Sequence, residues 1–250
     1  MRFAALVLMV GCGTGGEVVD RLDLTGAFGP SDPEVTGVDV DADGALVFST
    51  ATEGLWRLDG SDAEQLLAPE DFWNAGLSDA LTDVAVLGDG RIAMTVPGVG
   101  LVFDPADGSV VQHFCYEPGW GDWEIQRQET HSLAYDATTD RLLSQPQTLT
   151  DDSPERTDVA EFDRQTGEPL SWYTLDDRRF LASALTVTDA GVVLAKGASL
   201  YDYTLGDRTT EKRADLRGLG IHDIEGLAVQ GDDLLVLDGD SNELVRVRGW

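Results

Sequence analysis

Two kinds of side chain in this 250-residue sequence could do chemistry: carboxylates and imidazoles at spacings that suit a metal, and aromatic residues gathered between apolar runs. Asp39-Val-Asp41-Ala-Asp43-Gly44 reads D-x-D-x-D-G, the opening of a calcium loop, with three hard oxygen ligands at alternate positions and a glycine for the bend. The twelfth position of that loop is Thr50 instead of a bidentate glutamate, and Asp238, Asp240 and Asn242 pose the same question. Read without calcium, Asp41 and Asp43 are hairpin-turn residues and Asp39 is an odd carboxylate. Glu225 and His131 could be two ligands of zinc or another transition metal, although a catalytic zinc takes about three from the protein. The alternative is a polar pair satisfied by its surroundings. Trp73, Trp120 and Trp123, with Arg178 and Arg179, would make a surface suited to stacking on a sugar or peptide. The same tryptophans would equally serve to cap apolar ends of the fold.

Other chemistries find no foothold. The sequence has no G-x-S-x-G elbow, no H-E-x-x-H helix and no phosphate loop. Ser183 has no base at a fixed spacing, and neither His113 nor His222 shows metal spacing. Cys115, beside His113 and Tyr116, reads as a small packed residue. Gly11, Gly13 and Gly16 spell G-x-G-x-x-G, but Glu17-Val18-Val19 opens no helix, so the match is discarded.

What positions these residues is a repeated phrase. Thr36-Gly-Val-Asp-Val, Thr82-Asp-Val-Ala-Val, His131-Ser-Leu-Ala-Tyr, Ser183-Ala-Leu-Thr-Val and Glu225-Gly-Leu-Ala-Val start 46, 49, 52 and 42 residues apart. Each opens three short strands separated by turns, as in Gly226 to Val229, Leu234 to Leu237 and Leu244 to Val247. A fourth strand precedes each phrase. Such a period with four strands per unit implies an all-β fold, a β-propeller of five blades with four strands each. The last repeat runs out after three strands, so Arg21 to Leu24 is expected to close the final blade as its fourth and remove the open edges. Asp43-Gly44 and Asp59-Gly60 are turn pairs whose glycines supply positive φ. Gln145 to Asp158, with Pro146 and Pro154, is expected to be a long exposed loop.

In this architecture the loop entering each innermost strand opens on the same face as the loop between the second and third strands. The tryptophan and arginine stretches then surround one end of a central channel. The first residues of the phrases, Thr36, Thr82, His131, Ser183 and Glu225, are expected to ring its mouth, and Asp39 to face the channel.

Ile224-Glu-Gly-Leu-Ala-Val followed by Leu235-Val-Leu-Asp-Gly-Asp-Ser-Asn-Glu-Leu-Val-Arg-Val resembles the NHL-type repeat and the senescence-marker/gluconolactonase propellers. The resemblance implies a channel metal held by a glutamate, an asparagine and an aspartate. Glu225, followed by Gly226, matches the acidic ligand. The other mouth positions carry Thr, His and Ser, so the asparagine and aspartate are missing.

The formal net charge is −29, and the cations are fifteen arginines with only Lys196 and Lys212. A field of this sign repels nucleic acid and anionic lipid. Residues 1–11 have one positive charge, a short apolar run and a small residue before Cys12. That is a secretory signal, far too short to span a bilayer. Leu8-Met9-Val10-Gly11-Cys12 resembles a bacterial lipobox, which implies lipidation of Cys12, a tether over residues 12–20 and one propeller domain over 21–250. Only Cys115 then remains, so no disulfide forms within the chain.

The expected protein is therefore an exported lipoprotein of the cell envelope, at the outer membrane, periplasm or extracellular face. It is expected to be a monomer that touches membrane only through its lipid and binds a small molecule, glycan or protein segment on the tryptophan-bearing face. The alternative is a metal-dependent lactonase or esterase with a divalent ion, calcium or zinc, in the channel. Glu225 and His131 would be its ligands and Asp223 or Asp83 its base. A third reading is an assembly lipoprotein that docks a partner through residues 145–158.

Overall fold

The computed structural model describes residues 16–29, 32–74, 80–96, 99–115, 128–148, 158–176 and 180–250; side chains at 72–74, 99, 110–115, 128–131, 146–148 and 158 are outside the description. The chain folds into five four-stranded antiparallel sheets. Blade one is β2 (Val35–Val40), β3 (Leu46–Thr50), β4 (Gly54–Asp59) and β5 (Asp62–Leu67), followed by a short helix, α1 (Pro69–Asn74). Blade two is β6 (Asp83–Val86), β7 (Ile92–Val96), β8 (Val99–Asp104) and β9 (Ser109–Cys115). Blade three is β10 (Gln128–Asp136), β11 (Arg141–Thr148), β12 (Asp158–Asp163) and β13 (Pro169–Thr174). Blade four is β14 (Ala184–Thr188), β15 (Gly191–Lys196), β16 (Ser199–Tyr203) and β17 (Thr210–Asp215), followed by a 3-10 turn at Leu216–Leu219.

Blade five joins the two ends of the described chain. Its order is β1 (Glu17–Asp23), β20 (Glu243–Arg248), β19 (Asp233–Asp238) and β18 (Ile224–Gln230). The N-terminal strand thus closes the last blade, as the sequence implies. It starts at Glu17 instead of Arg21 because the pairing follows β20 to its end, from Asp23 opposite Glu243 to Glu17 opposite Arg248, with one bulge between Val18 and Asp20. Arg21 fastens the closure: it donates to Glu243 Oε2 at 2.6 Å and to the Leu219 carbonyl.

The innermost strands β2, β6, β10, β14 and β18 touch one another in a closed ring. Second strands lie between two neighbouring sheets and are apolar without alternation, as in Leu-Val-Phe of β3 and Leu-Leu-Val-Leu of β19. The outermost strands β1, β5 and β17 carry charged residues. Each seam between blades holds its own apolar cluster. Val47, Leu55 and Leu67 meet Val84, Met94 and Leu101 at the first. Leu24, Phe28, Val38 and Phe48 meet Leu235, Leu237 and Leu244 at the last. Full burial of a side chain of this size contributes about 1.5–3 kcal/mol. Gly44, at φ +86°, supplies the left-handed turn expected of it.

Two departures from the sequence reading bear on the site. Gln145, expected in an exposed loop, is buried: its Nε2 donates to the Phe180 carbonyl at 3.1 Å and its Oε1 accepts from Ala182 N at 2.6 Å. One amide supplies both the donor and the acceptor that the backbone entering blade four needs. Trp73, expected in a loop, is on α1, where Pro69 takes the first helical position.

On the opposite face Arg164 ties blade two to blade three, donating to Asp89 Oδ2 and to Asp140 Oδ1 at 2.6 Å each. The guanidinium is mostly buried and Asp140 also accepts from Tyr135 Oη at 2.6 Å. Arg164→Ala is expected to cost about 1–2 kcal/mol, more than an exposed ion pair, because it removes a charged partner from two carboxylates at once, leaving Asp140 to Tyr135 and Asp89 to Arg91. The urea midpoint measures this, and Lys212→Ala, at a more exposed pair with Asp215 on one blade, serves as the comparison.

Candidate functional site

The mouth residues separate into two groups. In blades one and two each hydroxyl has a partner across the sheet: Thr36 Oγ1 lies 3.0 Å from Ser49 Oγ and Thr82 Oγ1 lies 2.8 Å from Thr95 Oγ1. In blades four and five the equivalent atoms are buried without one, and in blade three, where His131 heads the phrase, the neighbouring Ser132 is in the same state. Ser183 pairs its backbone with Ala195, which has no hydroxyl to offer, and Ser183 Oγ, Ser132 Oγ and Glu225 Oε2 lack hydrogen-bond partners. A buried polar atom left unpaired costs about 1–3 kcal/mol, so each of these is a place where a ligand or water can complete the bonding.

Glu225 is held in place by the turn after β19. Asp238, fully buried, accepts from His222 N and Asp223 N at 3.0 Å each through Oδ1 and from Ser241 Oγ at 2.7 Å through Oδ2. Gly239 N donates to the Asp223 carbonyl at 2.9 Å. The Glu225 carboxyl lies directly over Gly239, where a Cβ would stand 2.3 Å from its Cδ. Only glycine leaves it that room. Burial, reinforced by the charges of Glu34, Asp223, Asp238 and Asp240, pushes the Glu225 carboxyl up to about 7. Asp223 is raised as well, by burial and then by Asp240 and Asp238.

A second pair of carboxylates lies between blades one, two and three. Asp39 accepts from Val40 N at 2.8 Å and from Val86 N of the next blade at 2.6 Å. Asp83 repeats the arrangement one blade on, accepting from Val84 N at 2.8 Å and from Leu133 N at 2.6 Å. These bonds cap N–H groups on the free inner edges of the sheets, which have no strand to pair with. Gly37 makes room: a Cβ there would stand 2.2 Å from Asp83 Oδ1.

The other candidates lie as follows. The three carboxylates of D-x-D-x-D-G do not converge. Asp39 is turned to Val86, Asp41 caps Asp43 N and Ala45 N at 2.9 Å and binds Arg57 Nε at 2.7 Å, and Asp43 is exposed. They form a hairpin turn and an inter-blade tie. Among the described residues no three His, Cys, Asp or Glu side chains surround one point where a metal could sit. Among the described residues no two further His, Cys, Asp or Glu side chains join Glu225 around such a point, and Asp238 has both oxygens engaged in the turn. His131 lies on β10, with its side chain outside the described residues, as is that of Trp73 on α1. Cys12, Trp120, Trp123, Arg178 and Arg179 lie outside the described residues altogether.

Gly239 as the floor under Glu225, and the bonds from Asp39 and Asp83 to the next blade, carry no signature in the residue pattern. The five-fold alignment of the phrases held the only clue, since a carboxylate at Asp39 or Asp83 occurs in one repeat each.

No model of a protein family matches this chain, and no curated protein matches it. Among solved structures it is similar to the glutaminyl cyclase of Myxococcus xanthus, with a TM-score of 0.60 and 12% identity over 92% of this chain and 94% of that one. It is also similar to the virginiamycin B lyase of Staphylococcus aureus, with a TM-score of 0.53 and 10% identity over 87% of this chain and 67% of that one. At these identities the likeness is one of fold, and the fold is a β-propeller.

Proposed function

We propose that this protein is a ligand-binding propeller whose site is the channel mouth around Glu225, and that its ligand is a small molecule or peptide end carrying a protonated nitrogen. The observation that carries this reading is the buried, unpartnered Glu225 Oε2. Glu34, Asp223, Asp238 and Asp240 contribute negative charge to the same place. A cation-bearing donor would satisfy that oxygen and relieve the repulsion in one step, whereas an anion or a neutral acceptor would do neither. The unpaired Ser132 Oγ and Ser183 Oγ would offer further hydrogen bonds. Export and attachment through Cys12 would place this site in the cell envelope, and Trp120 and Trp123, which lie outside the described residues, remain the candidates for contact with a glycan or peptide.

The test is a thermal melt of the full chain near pH 8, with small primary amines and free-amino dipeptides compared against their N-acetylated counterparts. A free amine at 100 times its dissociation constant should add about 2.7 kcal/mol, or about 5–11 °C. Glu225→Gln should abolish the shift, as should Gly239→Ala, which displaces the carboxyl without removing it. Equal shifts from the acetylated compounds, or shifts that persist in Glu225→Gln, would overturn the proposal.

A second reading is favoured by the Glu225 carboxyl at about 7, where it can take up or release a proton at neutral pH. On that reading the protein is an enzyme that moves a proton on the same amine ligand. Both similar structures carry the names of enzymes, a cyclase and a lyase. Turnover with a pH profile that bends near 7 and disappears in Glu225→Gln would promote it. The NHL or gluconolactonase-type reading, with a divalent ion and lactone hydrolysis, would instead require a chelator-sensitive activity and a stoichiometric metal lost in Glu225→Gln.

A further inference from the structure

The outer edge of blade three lacks the charges of those of blades one, four and five; the outermost strand of blade two, β9, Ser-Val-Val-Gln-His-Phe-Cys, lacks them too, with its side chains at 110–115 outside the described residues. β1 carries Glu17, Asp20, Arg21 and Asp23, β5 carries Asp62 and Glu64, and β17 carries Glu211, Lys212, Arg213 and Asp215. Charges of this kind keep an edge strand from pairing with another chain. β13, Pro-Leu-Ser-Trp-Tyr-Thr, has none, and it is the last strand of its sheet. Its side chains alternate strictly between half-buried and exposed. Leu170, at 46% exposure, and Trp172, at 39%, are the exposed large hydrophobic residues among those described, and two-residue spacing puts them on one face.

The strand is also rigidly presented. Phe162 of β12 packs edge-on against Trp172, with ring centroids 6.4 Å apart. Tyr173, on the opposite face, donates to Glu161 Oε2 at 2.7 Å. An indole fixed in this way loses little freedom when a partner covers it.

We infer that β13 is a docking edge for an extended segment of a basic partner protein, which adds to blade three as a fifth strand. Main-chain bonds to the free edge of β13 would give affinity, and alternate apolar residues would cover Leu170 and Trp172. The basic character follows from charge: the chain carries −29, and Glu168 stands exposed just before the strand. The same field opposes a second copy of this chain, because two such edges would meet at equal sign.

The probe is a fluorescent synthetic peptide of alternating lysine and valine, titrated with the full chain in low salt and followed by anisotropy. Binding should weaken about tenfold or more in Leu170→Thr with Trp172→Thr, an exchange that keeps strand preference and removes the apolar face. A peptide N-methylated at alternate amides, which keeps its charge and loses its strand hydrogen bonds, should not bind. Equal binding of that peptide to the native chain would show that charge alone suffices and would overturn the inference, whatever the stability of the double variant. So would undiminished binding by a folded double variant, or a dimer in high salt that the double exchange abolishes, which would make a second copy the occupant.

Discussion

Gly37→Ala should lower the melting temperature by about 6–12 °C, the consequence of losing about 3 kcal/mol in a domain of this size. The methyl would stand 2.2 Å from Asp83 Oδ1, 2.7 Å from Ser49 Oγ and 2.9 Å from Asp83 Cα. A side chain alone could swing away, but Asp83 Cα is backbone of the neighbouring inner strand, and Asp83 itself is pinned by Val84 N and Leu133 N. The seam between blades one and two must therefore open. A double-mutant cycle with Asp83→Ala measures the cause. Asp83→Ala alone leaves two buried N–H groups unpaired and should cost about 2–4 kcal/mol. Because both exchanges break the same tie, the pair should cost clearly less than their sum. Strict additivity would mean that Gly37 is required for some other reason.

Between about pH 7.5 and pH 5 the protein should become more stable as acid is added. Burial pushes Asp39 up to about 6 against the pull of its two N–H donors, and pushes Asp83 well above the carboxylate range, where the charge of Asp39 adds to the effect. A carboxyl whose pKa is raised by folding holds its proton more tightly in the folded chain. Its contribution is complete below the unfolded value of about 4 and is lost as the pH climbs through the folded value. For Asp39 the whole difference, from above about 6 to below about 4, amounts to about 3 kcal/mol, of which about 1.4 kcal/mol, or about 3–6 °C, is gained by pH 5. At lower pH the trend reverses. Asp89, held near 2 by its bond to Arg91, contributes stability above about pH 4 that disappears as it protonates. Relief of the overall charge toward the isoelectric point of 4.1 acts in the same direction as Asp39. Asp39→Asn separates the two: its melting temperature should be lower near pH 5, since an amide has one acceptor for two donors, and its slope between pH 5 and 7.5 should be flatter. A slope unchanged in Asp39→Asn would assign the whole effect to net charge.

The architecture was legible because each level of the sequence repeats the same message. Apolar runs such as Leu234 to Leu237 read as strands, Asp43-Gly44 as a turn, and five copies of one phrase as five blades. The three-strand ending then forced the N-terminal strand into blade five. The site was legible only at Glu225, whose place at the head of a phrase puts it at the mouth. Its surroundings were not, because they depend on contacts across the chain. Asp39 meets Val86 over 47 residues and Asp83 meets Leu133 over 50. An aspartate that caps a neighbouring blade and one that caps a hairpin look identical in sequence. Asp39 and Asp41 are two residues apart and do these two different things. Gln145, beside prolines in a polar run, carried no sign that its amide would be buried against blade four.

The closure of blade five has a kinetic meaning as well. Glu17 lies opposite Arg248, so the pairing that seals the ring has the greatest sequence separation in the described chain. Blades one to four can each form from neighbouring segments as they emerge during synthesis. The fifth must wait for β20 and then recapture a strand made more than two hundred residues earlier, since Glu17 pairs with Arg248. The loop-closure entropy of that step sets a late, slow phase in folding. Until it is complete, the edge of β20 is bare, and the open ring is the form in which this chain is most exposed to mispairing.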